Sequence, residues 1–201
     1  MTRAIFAAIL ASLTACATTQ ATRPAPSWQE VATDGDRQRL RDWRTAFTKA
    51  LEQARAGGNA ADIAGQGKLL DPDAAMGGVP IPNGDYRCRT VKVGAKNAGL
   101  LNFVAYPPFR CRIEQGKVQR FAKLTGSQRP VGRIYPADAL RQVFLGTLVL
   151  GDEARAYQYG RDHDRDLAAW VERIDDNRWR MIFPYPHYES TLDVIELIPE
   201  Q

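Results

Sequence analysis

Two histidines, His163 and His187, and the serines Ser27, Ser127 and Ser190 are the groups with which this chain could run nucleophilic or general-base chemistry. His187, Ser190 and Asp193 lie close together in the chain, yet no Gly-x-Ser-x-Gly elbow surrounds the serine. Asp162, Asp164 and Asp166 alternate like the opening of a calcium loop, whose hard oxygen ligands suit that ion. The glycine expected next is replaced by Leu167, the twelfth position is Arg173, and Arg161 and Arg165 would oppose a cation. A solvated turn is the expected outcome, and no metal is assigned. Asp152, Glu153 and Glu189 are available for acid–base work, but their spacing pairs none of them. Phosphate loops and dinucleotide fingerprints are absent from the sequence, so it implies no cofactor and names no reaction.

Four arginines form a more informative pattern. Arg87 and Arg89 flank Cys88, and Arg110 and Arg112 flank Cys111, each in an alternating run. Side chains alternate along a strand, so if the two cysteines share a face the four guanidinium groups share the other. Like charges on adjacent strands repel unless acids or an anionic partner intervene. Arginine suits bidentate recognition of carboxylate or phosphate, which makes Arg87, Arg89, Arg110 and Arg112 a candidate anion-binding set. The competing reading is an outer face balanced by acids such as Glu114. Val91 and Val93 continue the arginine side, so that side would turn inward near a bulge or barrel end.

The first residues read MTRAIFAAILASLTAC. Arg3 gives a positive start, and an apolar run of about ten residues follows, too short to cross a bilayer as a helix. Leu13-Thr14-Ala15-Cys16 resembles the lipobox of bacterial lipoproteins. The resemblance implies a thioether to diacylglycerol at Cys16, cleavage before it, and acylation of the new amine with palmitate-like chains. Three chains give stable membrane attachment. Residues 1–15 would then be the signal peptide and 16–30 the lipidated N-terminus and flexible tether. By analogy with lipoprotein sorting, Ala17 after the cysteine directs the chain to the periplasmic side of the outer membrane, with the inner membrane as the alternative. With Cys16 lipidated, Cys88 and Cys111 face an oxidising compartment, where a disulfide is the default.

The positioning elements follow from periodicity. Leu40, Trp43, Phe47, Leu51 and Ala54 recur at helical spacing and end at Gly57-Gly58, predicting one amphipathic helix, with a second short one over Asn59–Leu70. Residues 31–83 therefore read as a helical segment and connector packed on a β domain at 84–201. From Gly84, short alternating runs are broken by turn residues every 8–12 positions. Strands are expected at Asp85–Val93, Phe109–Glu114, Val118–Thr125, Val131–Tyr135, Val143–Leu150, Ala154–Tyr159, Leu167–Ile174, Trp179–Phe183 and Leu192–Ile198. Asn102–Tyr106 would be a further strand or part of an apolar lid. The fold class is mainly β with N-terminal helix: an antiparallel eight- to nine-stranded lipocalin-like barrel or sandwich.

A net charge of +4 over 201 residues is too mild to imply nucleic acid. Tyr106–Ile113, Leu124–Pro136, Val143–Glu153 and Leu192–Pro199 resemble an uncharacterised proteobacterial lipoprotein family, a likeness that brings no activity with it. The chain is therefore expected to be a membrane-anchored envelope protein that binds a small apolar or anionic ligand or an envelope protein. An envelope protease inhibitor, or an enzyme whose site converges only in three dimensions, are the alternatives.

Overall fold

Nine antiparallel strands follow a helical N-terminal segment in the computed structural model, which describes residues 24–200. Cys16, the signal segment and the start of the tether lie outside the described residues. The strands are β1 (Gly84–Ala95), β2 (Phe103–Ala105), β3 (Phe109–Glu114), β4 (Gln119–Lys123), β5 (Gln128–Pro136), β6 (Arg141–Leu150), β7 (Asp166–Asp175), β8 (Arg178–Pro184) and β9 (Ser190–Pro199). Consecutive strands pair from β3 to β9, and β9 returns to β1, closing an eight-stranded barrel. The long strand β1 has two partners on its other edge. Its first half pairs with β3 and its second half with the extra strand β2.

Alternation along each strand sorts the side chains into an interior and an outer layer. Tyr86, Cys88, Cys111, Ile113, Phe121, Phe144, Trp179, Met181 and Leu197 fill the interior. Cys88 and Cys111 form a disulfide with their Cα atoms 6.0 Å apart. Gly132 and Gly146 pair directly on β5 and β6, and the Phe144 ring lies across both. A Cβ on Gly132 would sit 2.7 Å from that ring, so glycine here makes room for the aromatic core.

The helical segment covers one outer face. Helices α1 (Trp28–Val31), α2 (Asp34–Arg41), α3 (Trp43–Ala56) and α4 (Ala60–Gly65) precede a 3-10 turn at Gly67–Leu70. The single helix expected over Leu40–Ala54 is broken at Asp42. The Leu40 carbonyl there accepts the Trp170 indole N–H at 2.9 Å, tying the end of α2 to β7. The second expected helix is split near Gly67, whose φ of 52° is left-handed.

Helix α3 buries Phe47, Ala50, Leu51 and Ala54 against Val91, Val93, Leu192 and Val194 of β1 and β9. Each large side chain so buried stabilises the docking by about 1.5–3 kcal/mol. The valines thus face outward beneath a helix, which corrects the expectation that the arginine side of β1 turns inward. Arg180, fully buried, locks the 3-10 turn to the barrel. It forms a two-pronged pair with Glu172 at 2.7 and 2.9 Å and donates to the carbonyls of Lys68, Leu69 and Asp71.

Residues 154–159 form no strand. Their neighbourhood is held by side chains instead. Arg129 donates to the carbonyls of Gly151 and Glu153, and the Tyr159 hydroxyl bridges the Thr33 amide and the Asp36 carboxylate. These groups anchor the connection to α2 and the β5–β6 end, so no strand partner is engaged.

Candidate functional site

One end of the barrel stays open where the other is packed. The inward positions nearest this end are Thr90 and Lys92 on β1, Phe109 on β3, Lys123 on β4, and Asp193 and Ile195 on β9. Connections 106–108, 124–127 and 186–189 rise around them and enclose a cavity of about 400 Å³. Its floor is aromatic. Phe183 lines the cavity and meets Phe144 edge-to-face at 5.8 Å, and Phe144 meets Phe121 at 5.6 Å. Below that stack the interior is filled, so the cavity is a mouth and not a through-channel.

The polar groups of the mouth fall into two sets. Lys92 reaches Glu189 at 2.6 Å, Gln128 at 3.3 Å and Asp193 at 3.7 Å. Burial works against its charge, but Asp193 and Glu189 outweigh it and hold its pKa above that of an ordinary lysine. Burial raises the Asp193 carboxyl above the usual range, an effect only partly offset by Lys92 and by the Ser190 hydroxyl that donates to it. Glu189 has a left-handed backbone, φ 58°, as does Tyr185, φ 47°. Non-glycine residues enter that region at a cost, so the surrounding structure must hold the 185–189 loop over the opening.

Lys123 forms the second set alone. Its ammonium lies 4.0 Å from the centroid of the Phe109 ring, and among the described residues no carboxylate stands at ion-pair distance from it. Burial, then the nearby charges of Lys92 and Arg129, lower its pKa. His187, on the overhanging loop, is also pushed down, by burial first and then by Arg39 and Lys96. Neighbouring positive charge thus contributes to both shifts.

The sequence-derived candidates sit elsewhere, or meet differently. Arg87, Arg89, Arg110 and Arg112 share the outer face of β1 and β3, with Arg87 directly opposite Arg110. Acids intervene. Asp85 grips Arg112 at 2.6 and 3.1 Å, Glu196 pairs with Arg89 at 3.0 Å, and Glu200 approaches Arg110 at 3.9 Å. Ser190 donates to Asp193 and not to His187, so these three residues make no Ser–His–Asp relay. Asp166 is buried, accepting from the Gly160 amide and pairing with His163, so the acidic run is a hydrogen-bonded loop, with Asp162 accepting from the Asp164 amide. Glu153 is held by Arg165 at 2.6 Å, away from the mouth. No cluster of metal-ligating side chains occurs among the described residues.

Lys92 and Lys123 escaped the sequence reading, though alternation carried the signal. Counting by twos from buried Cys88 reaches Lys92, and from buried Phe121 reaches Lys123.

A family model for DUF4893, a domain of unknown function, matches residues 28–197. The chain belongs to this family. No curated protein and no solved structure matched the chain. The DUF4893 span contains both partners of the disulfide, the closed barrel up to Leu197, and every residue of the mouth.

Proposed function

We propose that this DUF4893 domain is a binding module of the bacterial envelope, carried on a lipid at Cys16, whose barrel mouth takes a small amphiphile with an acidic group. The observation that carries the reading is Lys123. It is a partly buried cation on an aromatic face, with no carboxylate at ion-pair distance, inside an apolar-floored cavity. A buried charge is costly without a counter-charge, and a ligand carboxylate or phosphate would supply one. Lys92 is a weaker candidate for this role because Glu189 and Asp193 already meet its charge. At about 400 Å³ the cavity is at the small end of ligand sites, and the packed interior limits how far an acyl tail could descend.

Titration calorimetry with octanoate, octanol and octylamine tests the reading. Octanoate should bind best, and Lys123→Met should weaken it by about tenfold or more, the effect of losing a charge-assisted hydrogen bond of about 1.5–3 kcal/mol. Equal binding of all three probes, or an unaffected variant, would remove it. The proposed anchor is tested separately: in a bacterial host, Cys16→Ser should abolish acyl labelling and release the protein from membranes. Retained labelling would exclude Cys16 as the lipidation site.

A further inference from the structure

We infer that Lys123 is a covalent capture site: its side-chain amine forms a Schiff base with small aldehydes or ketones that enter the barrel mouth. The inference rests on the cavity and not on the ligand being acidic. Three features at Lys123 favour an amine nucleophile. Its Nζ lies inside the mouth on the Phe109 ring, in a desolvated setting. No carboxylate at ion-pair distance holds it in the ammonium form, in contrast to Lys92 with Glu189 at 2.6 Å. Burial, with positive charge from Lys92 and Arg129 and against the pull of Asp193, makes the neutral amine easier to reach from the ammonium form than in an exposed lysine. The mouth is open at the end where Lys123 lies, so a carbonyl compound can reach the amine.

The chemistry balances without a cofactor. The neutral Lys123 amine places its lone pair on the carbonyl carbon, and the carbonyl oxygen takes up a proton to give a carbinolamine. A second proton, delivered to that hydroxyl by solvent water at the open mouth, lets it leave as water. The nitrogen gives up two protons in the course of these steps. The net change is one carbonyl compound plus one lysine amine going to one imine plus one water. The aromatic floor of Phe183 and Phe144 suits an apolar body on the carbonyl compound.

The test is reductive trapping with hexanal and cyanoborohydride on the native protein, followed by peptide mapping. Lys123 should be alkylated several-fold faster than exposed Lys49 on α3, and the excess should extend to lower pH. Lys123→Arg, which keeps the charge but cannot form an imine, should lose the fast phase while keeping the wild-type unfolding transition. Lys123 reacting no faster than Lys49 would overturn the inference, and so would a fast phase that survives in Lys123→Arg. Octanoate separates the two proposals. Protection of Lys123 by octanoate would place both ligands in one cavity. Fast trapping without any octanoate binding would leave covalent capture standing and remove the acidic-ligand reading.

Discussion

Removing the disulfide should destabilise the barrel by an amount that follows from its place in the chain. Cys88 and Cys111 are separated by 23 residues. The chain-entropy relation for a loop of that length gives about 3.4 kcal/mol at 25 °C. For a domain of this size, that corresponds to a fall in Tm of about 7–14 °C. The double variant Cys88→Ala, Cys111→Ala should show it in urea unfolding followed by tryptophan fluorescence. The consequence reaches the site. Cys88 stands directly opposite Phe109 in the β1–β3 register, and Phe109 carries the Lys123 ammonium. The double variant should therefore also lose the preferential trapping of Lys123 as the ring gains freedom. A loss of stability below about 1 kcal/mol, with Lys123 reactivity unchanged, would refute both the loop argument and the link between the disulfide and the mouth.

Two further outcomes follow from buried charge. Arg180→Ala should cost about 3 kcal/mol by leaving buried Glu172 with only Arg141 as ion-pair partner among the described residues and the carbonyls of Lys68, Leu69 and Asp71 without their donor, and Arg180→Met, closer in size, should cost about as much; denaturant unfolding of the two variants measures it. For Asp193, whose folded-state pKa is raised, the native state favours the protonated form, so stability falls as pH rises above the ordinary value of 3.8. Asp193→Asn should therefore be more stable than wild type at neutral pH, and the gain should vanish below pH 3.8 in a pH series of thermal unfolding.

Much of the barrel was legible because it rests on local alternation. The runs at Phe109–Glu114 and Trp179–Phe183 fell where β3 and β8 stand, give or take a residue, and the Cys88–Cys111 pairing followed from two such runs lying side by side. What failed depended on tertiary partners. Ala154–Tyr159 has strand-like residues, but Arg129, Thr33 and Asp36 engage its neighbourhood and hold it as a connection. The long helix was interrupted because Trp170, far along the chain, takes the Leu40 carbonyl. The four arginines share one face as alternation requires, and the acids beside them include Asp85 from the same run and Glu196 and Glu200 from the distant end of the chain, which local spacing does not reveal. The mouth is the deeper lesson. Arg87 and Arg89 are conspicuous as charges beside a cysteine, while Lys92 and Lys123, inward by the same alternation, become a site only when the strands close and the rim connections enclose that end.

The most direct test of the binding account is octanoate titrated into the native protein and into Lys123→Met, with octylamine as the opposite-charge control. Saturable octanoate binding that weakens about tenfold or more in the variant, with octylamine inert, is the predicted result. Octylamine binding as well as octanoate, or octanoate affinity indifferent to Lys123, would contradict it.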